Sequence, residues 1–346
     1  MPNQTQPAPR SRPAQLRLLW TLVGLVIIAT LVHLHVGSTF WYSPRDIVDE
    51  LLRGPNHDDS QNVIVWTIRL PRVIECVCVG GILGVVGSAF QAQLRNPLAE
   101  PYIVGVSSGA AVGTALAMVL GFEAWFGGLG TTACGFVTGM LALALVYGLA
   151  SRRGKVEVTT LLLAGVVIGA LLSSILSLII LLAGKDTNRV LETLLGTMST
   201  ANFGKDGILS VALILGSVVL VRQTRLLNAF AMGEESAQRM GVDIGRLRAI
   251  VLVTGTAMTA AAVGAVGIVG FLGLVAPHIA RRVLGVDWRY SLIGSGLIGG
   301  VLMVAADLLA QRIGSIFGTS VTEIPVGIVT AVLGAPSLLI LIRKKG

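Results

Sequence analysis

Residues 158–182 read VTTLLLAGVVIGALLSSILSLIILL, twenty-five consecutive positions without a charged side chain. The hydrocarbon core of a bilayer is about 30 Å thick, and about 20 apolar helical residues cross it. Outward from this stretch, comparable apolar segments recur at about 16–36, 72–92, 100–121, 124–150, 207–221, 249–264, 266–284, 291–311 and 324–342. A backbone in hydrocarbon must satisfy its own hydrogen bonds, and these runs are too long and too unalternating for barrel strands. They predict an all-α polytopic membrane protein of about ten transmembrane helices. Of the 346 residues 53% are hydrophobic and only 13% charged, against about 25% charged in an ordinary soluble domain. That balance excludes a soluble enzyme, and the net charge of +8 points to a membrane surface rather than to nucleic acid.

Residues 1–15, with Arg10, Arg12 and prolines at 2, 7, 9 and 13, form the expected cytoplasmic tail. Residues 16–346 form one transmembrane domain. The first apolar run is too long for a signal-peptide core and lacks a cleavage site after it, so it is a retained span. Ten spans bring both termini to one side. With the N-terminus inside, 18 of the 26 Lys and Arg residues fall in cytoplasmic segments, in accord with the positive-inside rule. The three cysteines, Cys76, Cys78 and Cys134, sit in apolar runs and make neither a disulfide framework nor a zinc pattern.

Glycine pairs four residues apart (Gly80/Gly84, Gly109/Gly113, Gly135/Gly139, Gly165/Gly169, Gly296/Gly300) let helices pack closely. Two stretches interrupt the spans. One runs from Asn96-Pro97, as a helix cap and first turn, through Gly105 to Gly109; the other carries Gly264, Gly267, Gly270 and Gly273 ahead of Pro277-His278. Paired discontinuous segments in the two halves of a chain point to a transporter.

The phosphate-binding pattern G-x-x-x-x-G-K-S/T is absent, so any ATP drive comes from a separate chain. Asp307 is the one acid clearly within a predicted span. The cost of an unpaired charge there turns it toward the bundle or a cavity, with a structural hydrogen bond favoured over a proton relay. His33 and His35 are expected at the interface, and His278 as a hydrogen-bonded buried histidine. Within the soluble segment 222–248, a short helix with acids in its first turn ends at Gly241. Met232, Ala237 and Met240 are its expected apolar face toward a partner protein. Arg69 and Arg72 share one helix face before the second span, positioned to anchor at the interface or to pair with carboxylates of a docking protein.

The chain resembles the FecCD-type permeases of bacterial importers for iron chelates and vitamin B12. The resemblance rests on Arg69-Leu70-Pro71-Arg72, Gln91 through Arg95-Asn96-Pro97-Leu98-Ala99-Glu100-Pro101, Gly105-Val106-Ser107-Ser108-Gly109-Ala110, Leu161-Leu162-Leu163-Ala164-Gly165, Gly233-Glu234 through Gly241, Gly270-Phe271-Leu272-Gly273-Leu274 with Pro277-His278, and Glu323-Ile324-Pro325-Val326-Gly327 with Gly334-Ala335-Pro336. It implies the type II ABC importer permease architecture in the bacterial inner membrane: a dimer of permease copies served by two cytoplasmic ATP-binding subunits and a periplasmic substrate-binding protein. It implies docking of that protein by Arg69 and Arg72. ATPase coupling falls to Gly233, Glu234, Glu235, Ala237, Met240 and Gly241, and a cytoplasmic gate to Asn96, Leu98, Val158 and Thr159. No cofactor, resident metal or catalytic residue is implied. The chain departs from the family pattern in a longer stretch between Asp307 and Glu323 and in a loose version of Leu-Gly-Ser at Leu194–Ser199. The expected cargo is a ferric siderophore, haem or related metal chelate, with vitamin B12 as the alternative. An ion-coupled secondary transporter is the alternative from another class.

Overall fold

The computed structural model describes residues 11–37, 42–55, 60–152, 155–316 and 323–343. Its helices are α1 (Arg12–His35), α2 (Pro44–Arg53), α3 (Ser60–Val63), α4 (Leu70–Leu94), α5 (Val106–Val119), α6 (Trp125–Gly128), α7 (Gly130–Ala150), α8 (Val158–Leu182), α9 (Thr187–Leu194), α10 (Phe203–Arg222), α11 (Thr224–Ala231), α12 (Glu234–Arg239), α13 (Ile244–Val266), α14 (Leu272–Leu284), α15 (Trp288–Ile316) and α16 (Val326–Arg343). A π-helical segment, Ile64–Arg69, joins α3 to α4, and two-residue strands pair at Ser151–Arg152 and Lys155–Val156. Residues 12–15 of the expected tail are helical and belong to α1. Ser11 is extended at the N-cap of α1, and a proline stands in its first turn, where a missing N–H costs nothing. Residues 1–10 lie outside the described set.

Every predicted apolar segment contains a helix. Seven runs, α1, Ser60–Leu94, α7, α8, α10, α13 and α15, are by themselves long and apolar enough to cross a membrane. The count of ten is not established by length. At 14 and 13 residues, α5 and α14 rise only about 20 Å, and α16 is a shorter apolar helix over Val326–Ser337. Contacts sort the helix ends into two groups. Near the chain start, Gln15 Nε2 donates to Leu284 O at 2.8 Å and Asn228 Nδ2 to Asp287 Oδ1 at 2.8 Å. At the far end, Arg72 reaches both Asp307 and Glu323. Since α16 leaves the far end just after Glu323, it runs back toward the end where α1 begins.

The core is organised around α4, buried along almost its whole length and packed on α10, α13, α14 and α15. All five glycine pairs lie at backbone contacts. Gly80 and Gly84 meet the α15 backbone at Gly299 and Ser295, while Gly135 and Gly139 meet α13 at Gly264 and Ala260. By contrast α8 exposes most of its surface; Leu163, Val166 and Leu181 are 64%, 65% and 79% accessible. An apolar face of that extent requires lipid or another protein against it.

Candidate functional site

The two interrupted segments meet inside the bundle. After α4 the chain does not begin a helix at Asn96, as the sequence suggested. Arg95 is left-handed, and Asn96 Oδ1 accepts the Leu98 amide at 2.9 Å, so its side chain caps a turn. Proline at 97 and 101 withholds two backbone donors, and α5 starts only at Val106, after a left-handed Gly105. Gly105 lies against Gly165 and Gly169, near the middle of α8. The second break follows Gly267 (φ 82°) and ends at Phe271, a left-handed non-glycine residue (φ 66°).

Side chains of the first break satisfy the backbone of the second. Glu100 Oε1 accepts the Phe271 amide at 2.7 Å; the Tyr102 hydroxyl donates to Val269 O at 2.7 Å and accepts from Val269 N at 3.2 Å. Gln91 Nε2 of α4 donates to Gly273 O at 3.2 Å. Irregular backbone at membrane depth survives only where protein or a cavity supplies such partners. Sequence reasoning located both breaks but not Glu100 and Tyr102 as the groups that join them. The arrangement ties the start of one half-helix to that of another.

The far end gathers the charges. Arg69 and Arg72 are only 7% and 8% exposed, and both guanidinium groups are turned into the chain. Arg69 Nη1 donates to Leu34 O at 2.6 Å, and its guanidinium lies 4.5 Å from the centre of the Tyr42 ring. Arg72 bonds Asp307 through Nε at 2.8 Å and Nη2 at 3.0 Å, and Glu323 through Nη1 at 3.0 Å. Asp307 also takes Gln311 Nε2 at 2.7 Å and has His33 Nε2 at 2.8 Å. The expected inward-facing, hydrogen-bonded Asp307 is what the structure contains. The interfacial placement of His33 is corrected: the residue is 2% exposed, because α1 packs its end on α15. His33, Cys76 and Asp307 offer ligand atoms within 4.8 Å of one another, but Arg72 already bonds both Asp307 oxygens and would repel a cation there. Deeper in the bundle, Glu75, Lys205 and Asp206 are buried together, a cluster the sequence did not signal because each stood near a predicted span boundary.

At the near end, α11 and α12 form a short hairpin between α10 and α13. Gly233 (φ 120°) precedes α12 and Gly241 (φ 83°) ends it; Val242 N bonds Ala237 O and Gly241 N bonds Gln238 O, the paired closure of a Schellman motif. Met232 and Met240 are 73% and 54% exposed, whereas Ala237 is fully buried. The expected three-residue apolar face is therefore corrected to the two methionines: Ala237 fills the seam against the chain. Glu234 and Glu235 stay exposed, Glu234 lying 3.6 Å from Arg248. Of the predicted gate residues, Leu98 and Thr159 are exposed and Asn96 and Val158 half-buried, where α4 ends and α8 begins. Nearby Asp287 is held below the usual carboxylate range: partial burial opposes this, but hydrogen bonds from Arg289 and Asn228 outweigh it.

A bundle interrupted twice, with the breaks tied together at its centre, defines a multi-pass membrane transport protein. The FecCD transport family matches residues 25–344, and the chain belongs to that family. It is 38% identical over 287 residues to the cobalamin import system permease protein BtuC of Halobacterium salinarum, covering 83% of this chain and 75% of that one. It is 37% identical over 290 residues to the uncharacterized ABC transporter permease protein YvrB of Bacillus subtilis, covering 83% and 81%. Among solved structures, an inward-facing putative metal-chelate type ABC transporter superposes with a TM-score of 0.83 at 28% identity, covering 95% of this chain and 99% of that chain.

Proposed function

We propose that this chain is the membrane-spanning half of an ATP-driven importer for a metal chelate, working as a homodimer with two separate ATP-binding subunits and a substrate-binding protein. The family match along nearly the whole chain carries this reading. The near end, with both termini, faces the cytoplasm of the inner membrane, as the Lys/Arg distribution favours. Cargo moves by alternating access, docking and ATPase closure each favouring one packing of the bundle. A ferric siderophore, haem or similar chelate is the cargo class; the 38% identity to a cobalamin permease favours vitamin B12 as the second reading. The test is reconstitution into vesicles. Uptake against a gradient is expected only with ATPase subunits, ATP and binding protein together; accumulation by this chain alone would replace the reading with ion-coupled transport.

In the same proposal the ATPase groove receives α12 with Gly233, Glu234, Glu235, Met240 and Gly241, while Ala237 supports them from behind. Replacing both Met232 and Met240 by Glu is expected to lower ATP-driven uptake by about tenfold, the loss of an interface anchor worth about 1.4 kcal/mol. Thermal unfolding of the permease should hardly change, because both side chains are exposed. Asn96, Leu98, Val158 and Thr159 form the gate at this end.

Docking of the binding protein by Arg69 and Arg72 needs an exchange, since Arg72 already has carboxylates. Glu323, with a side chain 29% exposed against 1% for Asp307, is the one an incoming acid would displace. Glu323→Gln is then expected to tighten binding-protein association and Arg69→Gln to weaken it, each by up to about fivefold. Titration of the binding protein onto the permease in nanodiscs measures both; unchanged affinity in the two variants would remove the docking role.

A further inference from the structure

A groove on the outer apolar surface of the bundle has no part in any of these roles. It runs between α10 and α13 and is closed on one side by α7, with a volume of about 710 Å³. Gly207, Ala212 and Gly216 line it on α10, Ala257 and Ala261 on α13, and Phe136 on α7. A second cavity of about 480 Å³ continues it toward the near end. The two share Val219, Val253 and Thr254, so they are one channel. At the near end the lining changes to Arg222 and Gln223, and no carboxylate lines either part.

The length of the channel identifies its occupant. From Gly207 to Arg222 a helix rises about 22 Å, more than the roughly 15 Å of hydrocarbon in one leaflet. An extended acyl chain whose headgroup sits at Arg222 therefore fits within it. Buried Gly216 and Ala261 lie beneath it, and branched apolar residues stand out around it: Val211, Leu215 and Val253 are 56%, 61% and 46% exposed. A neutral lipid needs no cation at the headgroup level, whereas a phosphate beside Arg222 gains a charge-assisted hydrogen bond and Gln223 offers an amide donor.

We propose that the α10–α13 groove is a binding site for one anionic phospholipid of the cytoplasmic leaflet, its acyl chain in the channel and its phosphate at Arg222. The leaflet follows from the orientation proposed above; the groove and its charged end do not. The complete transporter, purified and exchanged into mixtures of phosphatidylglycerol and phosphatidylcholine, is analysed by native mass spectrometry. Preferential retention of phosphatidylglycerol is expected, reduced about fivefold by Arg222→Gln, the usual worth of one basic residue beside an anionic membrane. Ala257→Phe, which fills the channel while keeping the charge, should abolish retention of either lipid. Equal retention of the two lipids by the parent protein, or retention indifferent to both substitutions, would overturn the site, as would a protein subunit found cross-linked into the channel through Leu215→Cys. Leaflet assignment and lipid binding fail separately: right-way vesicles probed for the accessible side of Arg222 test the first without touching the second.

Discussion

Replacing Asp307 by alanine is expected to destabilise the permease by about 3–5 kcal/mol, the typical cost of removing one partner from a buried ion pair. The carboxylate is 1% exposed and takes two bonds from Arg72 and one from Gln311, with His33 Nε2 2.8 Å away. Without it, Arg72 keeps only Glu323, and His33 and Gln311 lose their common acceptor. Such a cost does not mean that the pair is a large net source of stability, because bringing both charges out of water already opposes most of their attraction. The distinction is measurable. The double substitution Arg72→Met with Asp307→Leu should recover most of the loss seen in Asp307→Ala, when thermal unfolding is followed in nanodiscs. A proton relay through Asp307 predicts something else: an Asp307→Asn variant that keeps Arg72, stays folded and transports nothing. Parental stability in Asp307→Ala would remove the structural role altogether.

The sequence carried the positions of the helices because hydrocarbon imposes a length and a composition that no other feature imitates. Residues 158–182 were legible as a span, and α8 covers the same residues. Both interruptions were legible too, through Pro97, Pro101 and the glycines from Gly264 to Gly273. What could not be read was which polar side chain serves which break. Glu100 and Phe271 are 171 positions apart, and a carboxylate beside two prolines looks like an ordinary loop acid until the amide it accepts is seen. The same limit hid His33, whose partner Asp307 is 274 positions away, so that a histidine near a span end read as interfacial. Arg69, closing the π-helical segment, and Arg72, in the first turn of α4, stand at one end of the bundle, but helix periodicity gives no sign of whether an end faces outward or against α1 and α15. Ala237 illustrates the reverse error: three apolar residues on an expected helix over 231–240 suggested one face, but α12 spans only Glu234–Arg239 and its Ala237 is buried against the chain.

Gly87 supplies the second large expected effect. Its backbone approaches Gly273 so closely that an added Cβ would overlap the Gly273 carbonyl, at the point where α14 begins inside the bundle. The obstacle is main chain on both sides, so no rotamer change relieves it, and Gln91 bonds that same carbonyl from one turn further along α4. Gly87→Val should therefore cost about 3 kcal/mol or more, at the upper end of overpacking, and should open the contact between α4 and the second break. Gly24 is the internal control: a Cβ there meets nothing within 4 Å, so Gly24→Val in α1 should leave the unfolding transition near that of the parent. If the two variants unfold alike, the close approach at Gly87 is not what holds α14 in place. If Gly87→Val remains folded yet loses ATP-driven uptake while Gly24→Val keeps it, the junction of α4 with the broken helix is where movement of the bundle is transmitted, and Glu100→Ala, which frees the Phe271 amide from the other side, should reproduce that loss.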